Sequence, residues 1–143
     1  MKELADVNSK LSQEIVGIVE LGNELESSGD FDGALKKYAE AWGMLPEPKE
    51  AWDLSHWIAK TISSLCLKIS DFKSAKKWSL VAVETKPPRE TSSLIILGAS
   101  YLGLGEDECA QNQLKKAFDM GGDRAFQGFD KQYLTFLKKV RGE

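Results

Sequence analysis

The chain has 143 residues, of which 42% are hydrophobic and 29% are charged, and its formal net charge is −3. This composition excludes a disordered chain, and the negative net charge argues against nucleic acid as a direct ligand, because phosphate binding needs a clustered basic face. No apolar run approaches the roughly 20 residues that cross a bilayer, and the N-terminal segment lacks a secretory pattern, so we expect a cytoplasmic protein that binds no membrane.

Residue spacing predicts an N-terminal helical extension and a first helical hairpin. Residues 1 to about 13 are amphipathic and either lengthen the first long helix or form a separate cap. That long helix carries an apolar stripe and ends at Gly29, which supplies a left-handed C-cap. The second helix of the hairpin is predicted over about residues 32–44 and stops before Pro46.

Two further hairpins and a terminal helix follow in the sequence. We predict helices over 49–69 and 72–85, the first of them being the longest element, and then over 90–104 and 107–120. The tail at 125–143 contains a final amphipathic helix whose apolar face suits a C-terminal cap.

One spacing of small and apolar residues occurs three times in the chain. The copies are Ile18, Leu21-Gly22, Leu25, Gly29, Phe31, Ala34, Tyr38, Ala41 and Pro46; Ala59, Ile62-Ser63, Cys66, Ser70, Phe72, Ala75, Ser79, Ala82 and Pro87; and Leu94, Leu97-Gly98, Tyr101, Gly105, Asp107, Ala110, Leu114, Ala117 and Gly122. The spacing resembles the signature of the tetratricopeptide repeat (TPR), W-x2-L-G-x2-Y…A-x3-F…P. The resemblance implies an all-α solenoid in a single domain of residues 1–143, with repeats at about 15–48, 49–89 and 90–124 and a C-terminal cap at about 125–143.

The first interval between repeats is longer than the second. Ala34 and Ala75 are 41 residues apart, whereas Ala75 and Ala110 are 35 apart, against about 34 in an ideal repeat. The extra residues amount to about two helical turns and lie between Pro46 and Ala59. This inserted segment distinguishes the second repeat from the others.

The inventory of reactive residues predicts a protein that is not an enzyme and that uses no cofactor and no metal. His56 is the single histidine, and the sequence has no metal-binding, phosphate-binding or nucleophile motif. We therefore expect His56 to be a satisfied packing or surface residue. Cys66 and Cys109 lie at apolar-face positions of different helices, and we expect both to be buried as small hydrophobes.

The face that lines the concave groove in the TPR register is the predicted partner-binding site. A tryptophan exposed there would be a good anchor, because tryptophan is enriched among interface hot spots. The candidate residues surround such a tryptophan and are Asn23, Glu26, Trp57, Lys60, Ser64, Lys68 and Ile95.

Two alternatives to an open groove remain at this stage. The N-terminal segment or the inserted turns could cover Trp57. The inserted turn itself, with Pro48, Lys49 and Glu50, is a competing surface because loops often carry binding function.

One subgroup of TPR proteins binds the acidic C-terminus of heat-shock chaperones through a lysine, two asparagines and further basic residues. By register, those sites fall on Val19, Asn23, Thr61, Ser92 and Ile96 of this chain, and only the asparagine matches. A ligand carboxylate would meet no fixed positive charge at these positions, although charge-assisted hydrogen bonds give such sites their affinity. We therefore reject that function for this chain.

Three segments, LPEPKEAWDLSHWIAK, LGASYLGLGEDE and FQGFDKQYLTFLKK, resemble small bacterial TPR proteins of polymorphic or contact-dependent toxin systems. The resemblance implies an immunity protein that binds and neutralises a cognate toxin domain. The alternative is a general TPR adaptor, scaffold or chaperone that binds a peptide or a helix in its concave groove. A toxin gene beside this one favours immunity, whereas a secretion operon or a chaperone gene favours the adaptor.

Overall fold

Helices paired as hairpins make up the protein in the computed structural model, which describes residues 2–143. The α-helices of this part are α1 Leu4–Val7, α2 Ser9–Ser27, α3 Phe31–Gly43, α4 Asp53–Lys68, α5 Phe72–Thr85, α6 Ser92–Gly103, α7 Asp107–Gly121 and α8 Lys131–Val140. Short 3-10 helices lie at Lys49–Ala51 and Gly122–Phe126. The hairpins α2–α3, α4–α5 and α6–α7 stack through contacts of α3 with α4 and of α5 with α6. The prediction of an all-α solenoid is confirmed.

The three hairpin turns share one backbone motif. Gly29, Ser70 and Gly105 occupy the same place in their turns and have φ values of +88°, +61° and +77°. In each turn the following residue donates a backbone hydrogen bond of 2.9 Å to a carbonyl of the preceding helix: Asp30 to Leu25, Asp71 to Cys66 and Glu106 to Tyr101. This is the Schellman motif, so the predicted left-handed cap at Gly29 is confirmed and the second turn places a serine in the same conformation.

Small residues lie where paired helices approach most closely. A Cβ atom added at Gly22 would lie 2.5 Å from the Tyr38 ring, and one at Gly98 would lie 2.7 Å from Leu114. The alanines of the second helices are fully buried: Ala34, Ala75 and Ala110. Because larger side chains would separate the helices, these positions set the distance within each hairpin.

The N-terminal segment combines the two arrangements that the sequence allowed. Asn8 ends α1 and caps α2, since its side chain accepts a hydrogen bond of 3.1 Å from the backbone N–H of Leu11. Upstream, the N–H of Leu4 donates to Asp53 Oδ1 at 3.0 Å, and the Leu4 side chain is fully buried in the core. Residues 4–7 thus form a separate cap, and the first repeat helix α2 also begins upstream of the repeat, at Ser9.

The predicted helix over 49–69 is wrong, because Trp52 is extended and interrupts it. Its φ and ψ are −104° and 153°, and α4 begins only at Asp53, so the 19-residue helix α2 is the longest. Trp52 forms a parallel β-bridge with Lys2, and its indole N–H donates to the Pro46 carbonyl at 2.9 Å. These contacts satisfy Trp52 outside the helix, so the inserted residues form a loop with one short 3-10 turn instead of two α-helical turns.

Lys49 of the inserted segment stabilises the end of α3. Its ammonium group donates to the carbonyls of Trp42, Gly43 and Leu45 at 3.3, 3.1 and 2.9 Å. The last carbonyls of a helix have no partner within it, and a lysine can satisfy them. Lys49 is therefore a structural cap, and its charge is directed at the protein backbone.

The two cysteines differ in their surroundings. Cys66 is buried as predicted, and burial, together with the charge of Asp71, raises the pKa of its thiol to about 11. Cys109 is exposed, so the prediction that it is buried is wrong. The next residue of α7, Ala110, faces the core and is fully buried. Because consecutive residues point about 100° apart on a helix, Cys109 faces away from the core.

The C-terminal helix α8 packs against α6 and α7 and closes the end of the solenoid. Leu137 of α8 is fully buried, and Phe126 of the preceding turn is 5% exposed; both belong to the core cluster that contains Leu94 and Leu114. None of the helices in residues 2–143 combines the length and the apolar character needed to cross a membrane.

We expect Ala75→Leu to lower the free energy of unfolding by roughly 1–3 kcal/mol, because the added side chain overpacks the α4–α5 hairpin. Ala39→Leu is the matched control, since Ala39 is exposed on α3. Thermal melts followed by circular dichroism measure both variants, and equal melting temperatures for them would contradict the close-packing role of Ala75.

We expect Ser70→Gly to raise the free energy of unfolding by about 1 kcal/mol, because a left-handed conformation costs a residue with a Cβ atom about that much. The reciprocal change Gly29→Ala, at a φ of +88°, is expected to lower it by a similar amount. Urea denaturation compares the two. A loss of stability in Ser70→Gly would show that the serine side chain, and not its φ, matters at this turn.

Candidate functional site

An open groove of about 500 Å³ crosses the first helices of the three hairpins. Its walls come from α2, α4 and the start of α6, and one end is formed by the loop that precedes α8. The lining residues are Asn23, Glu26, Trp57, Lys60, Thr61, Ser64, Ser92, Ile96, Gly128 and Phe129. Residues 2–8 are not among them, so the described part of the N-terminal segment leaves the groove open.

Five of the seven predicted site residues line this groove together: Asn23, Glu26, Trp57, Lys60 and Ser64. They come from two helices that are more than twenty-five residues apart in the chain, and the TPR register alone placed them on one face. That they contact a partner stays a prediction.

Ile95 is not available as a contact residue, and its assignment to the site was wrong. Its side chain is fully buried in the core cluster with Leu94 and Leu114. Residues Ser93 to Ser100 of α6 are all buried, so periodicity does not separate the groove side from the core side. The α6 residues that line the groove are Ser92, which is partly exposed, and Ile96, which is only 2% exposed.

A polar network fixes the α2 side of the groove. The Tyr38 hydroxyl lies 2.8 Å from both Asn23 Oδ1 and Glu26 Oε1, and it donates its single proton to one of these two acceptors at a time. Burial of the phenol, with the hydrogen bond and charge of Glu26, holds the Tyr38 pKa well above its usual value. Lys68, predicted as a site residue, lies outside the groove lining and contacts Glu26 Oε2 at 2.7 Å. The ion pair neutralises the carboxylate of the groove.

Trp57 and Lys60 are the groove residues with unused binding capacity. Trp57 is half-buried, and its indole N–H donates no hydrogen bond within residues 2–143, whereas that of Trp52 does. Lys60 forms no ion pair within the same residues, although its charge contributes to lowering the pKa of Glu90. The two side chains are neighbours on one helix face because they are three positions apart in the sequence. Together they offer an aromatic surface beside a cation.

His56 connects three elements next to the groove. Its Nδ1 lies 2.9 Å from the Ala82 carbonyl of α5, and its Nε2 lies 3.1 Å from Glu90 Oε2. Both ring nitrogens thus have partners, which agrees with the prediction of a satisfied packing residue. Glu90 also accepts hydrogen bonds of 2.7 and 2.6 Å from the N–H and the hydroxyl of Ser93.

The charge of Glu90 depends on these partners. Burial raises its pKa, but the hydrogen bonds from His56 and Ser93, with the nearby charge of Lys60, outweigh that effect and lower the pKa to about 2. The carboxylate is therefore ionised at neutral pH and links α4 to the start of α6. No local sequence signal identifies this contact, because its residues are 34 positions apart in the chain.

The inserted turn, the competing surface, has one of its three predicted residues already engaged within the protein. Lys49 is engaged with the α3 carbonyls, so of the three predicted residues Pro48 and Glu50 remain exposed. Within residues 2–143, no group of three or more His, Cys, Asp or Glu side chains could hold a metal ion.

Comparisons with known proteins support the architecture. No family model matches the chain, and no curated protein matches it. Among solved structures, it is similar to the second TPR domain of the human RPAP3 protein, determined by NMR in complex with the HSP70 peptide SGPTIEEVD. The identity is 15% and the TM-score is 0.72, over 93% of this chain and 99% of that one. The chain has the fold of a TPR domain.

We expect Glu90→Gln to lower the free energy of unfolding at neutral pH by about 3–4 kcal/mol, because each pKa unit corresponds to about 1.4 kcal/mol. The pKa of Glu90 falls from 4.5 to about 2 on folding. Between pH 4.5 and about pH 2, the unfolded chain therefore binds more protons at Glu90 than the folded chain does. The stability that the Glu90 charge contributes is present above about pH 5 and is lost as the pH falls towards 2.

Urea denaturation of both proteins from pH 7 to pH 2 measures this difference, which is expected to shrink towards zero at the acid end. Glu84→Gln is the control, since Glu84 is an exposed acid near the end of α5. A difference that stayed constant with pH would contradict the role given to the Glu90 charge.

Proposed function

We propose that the chain is a non-catalytic protein-binding module that receives an extended or helical segment of a partner in its groove. The observation that carries this proposal is the pairing of Trp57 with Lys60 in a groove whose other charge, Glu26, is already neutralised. Such a surface suits a segment that places an apolar side chain beside an acidic one.

Each part of the groove has a different role in this proposal. Trp57 provides the apolar contact, and Lys60 attracts and pairs with a carboxylate of the partner. The hydroxyl of Ser64 and the amide of Asn23 offer hydrogen bonds to a peptide backbone. The Thr61 hydroxyl, which donates to the Trp57 carbonyl at 2.8 Å, can accept one. Because Tyr38 and Lys68 hold Glu26 in place, that side of the groove is already ordered, and binding loses less conformational entropy there.

The peptide named with the RPAP3 domain is acidic, and we propose that this chain takes a different one. At the positions where chaperone-binding TPR domains carry basic residues and asparagines, this chain has Val19, Asn23, Thr61, Ser92 and Ile96. Val19 is moreover fully buried. One cation, Lys60, is a poor match for a peptide with two adjacent glutamates and a terminal aspartate.

For the partner we propose a cognate bacterial toxin domain, which the chain neutralises by covering its surface. The support is the resemblance of the three segments described above to immunity proteins. A general adaptor or scaffold uses the same groove, and the two roles differ in whether the bound partner is inactivated.

We expect Trp57→Ala to weaken binding to the partner by about 2 kcal/mol or more, which is about thirtyfold in Kd. The matched control is Leu80→Ala, since Leu80 is exposed on α5 and does not line the groove. Titration calorimetry uses as the ligand the toxin domain that this proposal expects to be encoded beside the gene, and the peptide SGPTIEEVD as a probe that is expected not to bind.

Co-expression with that toxin domain separates the two roles. Neutralisation predicts that wild-type chain restores growth and that Trp57→Ala restores it less. A complex that forms while the toxin stays active favours the adaptor. Unchanged affinity in Trp57→Ala, with the fold confirmed by circular dichroism, would place the binding surface outside the groove.

A further inference from the structure

The N-terminal end of the solenoid exposes an apolar strip between acidic side chains. On α2 the residues Glu14, Gly17, Leu21 and Glu24 share one side, because their spacing follows the helical period. Leu21 is 47% exposed, and a Cβ atom added at Gly17 would meet nothing within 4 Å. Val7 of α1 is 66% exposed. Solenoid ends normally carry a polar outer face, so this N-terminal face is open to a partner.

Charge is distributed unevenly between the two ends of the chain. Residues 2–32 contain two lysines and eight acidic side chains, a formal charge of −6. Residues 131–143 contain four basic side chains and one acidic side chain, a formal charge of +3. The acidic N-terminal end of one molecule is therefore electrostatically complementary to the basic C-terminal end of a second copy.

The C-terminal end also has a pocket that fits an apolar side chain. A cavity of about 360 Å³ lies between α8 and the preceding loop, and Phe126, Phe129 and Leu134 contribute its apolar walls. An apolar cavity of about 150 Å³ already holds a benzene-sized group, so this C-terminal pocket has room for a leucine side chain.

One lysine at the pocket rim is available to an acidic side chain of a partner. Asp123 is paired with Lys138 at 3.4 Å, and Asp130 caps α8 through the backbone N–H of Gln132 at 2.9 Å. Lys131 is exposed and has no ion pair within residues 2–143. The two aspartates and two lysines leave the rim with no formal net charge, and Lys131 is the rim cation that is free to pair with an acidic side chain.

We infer that a second copy of this chain docks its N-terminal face on the C-terminal pocket, with Leu21 in the pocket and the glutamates of α2 next to Lys131. The contact is heterologous, because different surfaces of the two copies meet, and each bound copy leaves one free end. Association therefore extends beyond a dimer as the concentration rises, and salt weakens it by screening the charges.

Sedimentation velocity over a wide concentration range tests this inference with two variants of exposed residues. Leu21→Lys blocks the N-terminal face, and Lys131→Glu combined with Thr135→Glu blocks the pocket. Each variant alone is expected to stay monomeric where the wild type associates, with an apparent Kd raised at least about tenfold. An equimolar mixture of the two is expected to form a dimer that grows no further, because each variant retains one intact end.

Leu80→Lys is the control for an added surface lysine and is expected to associate as the wild type does. Trp57→Ala is also expected to associate normally, which separates this inference from the proposed groove function. A wild type that is monomeric at all concentrations would overturn the inference. A dimer that persists in either variant alone, or a mixture that remains monomeric, would overturn it as well.

Discussion

The distance between paired helices is the constraint on which the rest of the structure depends. Gly22 allows the Tyr38 ring to lie directly against α2, and Gly98 does the same for Leu114 against α6. Because the Tyr38 ring reaches across α2 at this point, its hydroxyl arrives between Asn23 and Glu26 on the groove side. Close packing in the core and the orientation of groove side chains thus share one cause.

Most charged side chains in and beside the groove are paired within the part of the protein that the structure describes, and one lysine in the groove is not. Lys68 neutralises Glu26, and His56 and Ser93 hold the Glu90 carboxylate nearby. Lys60 is left as the cation that a partner can use. In a protein of net charge −3, such a site selects a ligand by local pairing, because long-range attraction of an anion is weak or unfavourable.

The sequence predicted the hairpins well because their signals are local. Small residues, left-handed turn residues and apolar stripes repeat at a fixed spacing, and each depends on neighbours within one repeat. Trp52 escaped prediction because its extended conformation depends on Lys2, far away in the chain. Ile95 was misplaced because α6 is apolar on nearly every side, so that periodicity carries no information about which side faces the groove.

Buried residues fall into two clusters, one spanning Leu4 to Ala75 and the other Leu94 to Leu137. Stacked repeats unfold in units set by their interfaces, and we expect these two clusters to behave as two cooperative blocks that meet where α5 packs on α6 and where His56 contacts Glu90. The groove crosses this boundary, since Trp57 packs on the first cluster while Phe129 packs on the second. A ligand that needs both walls binds only when both blocks are folded, and its binding free energy therefore couples their unfolding into one transition.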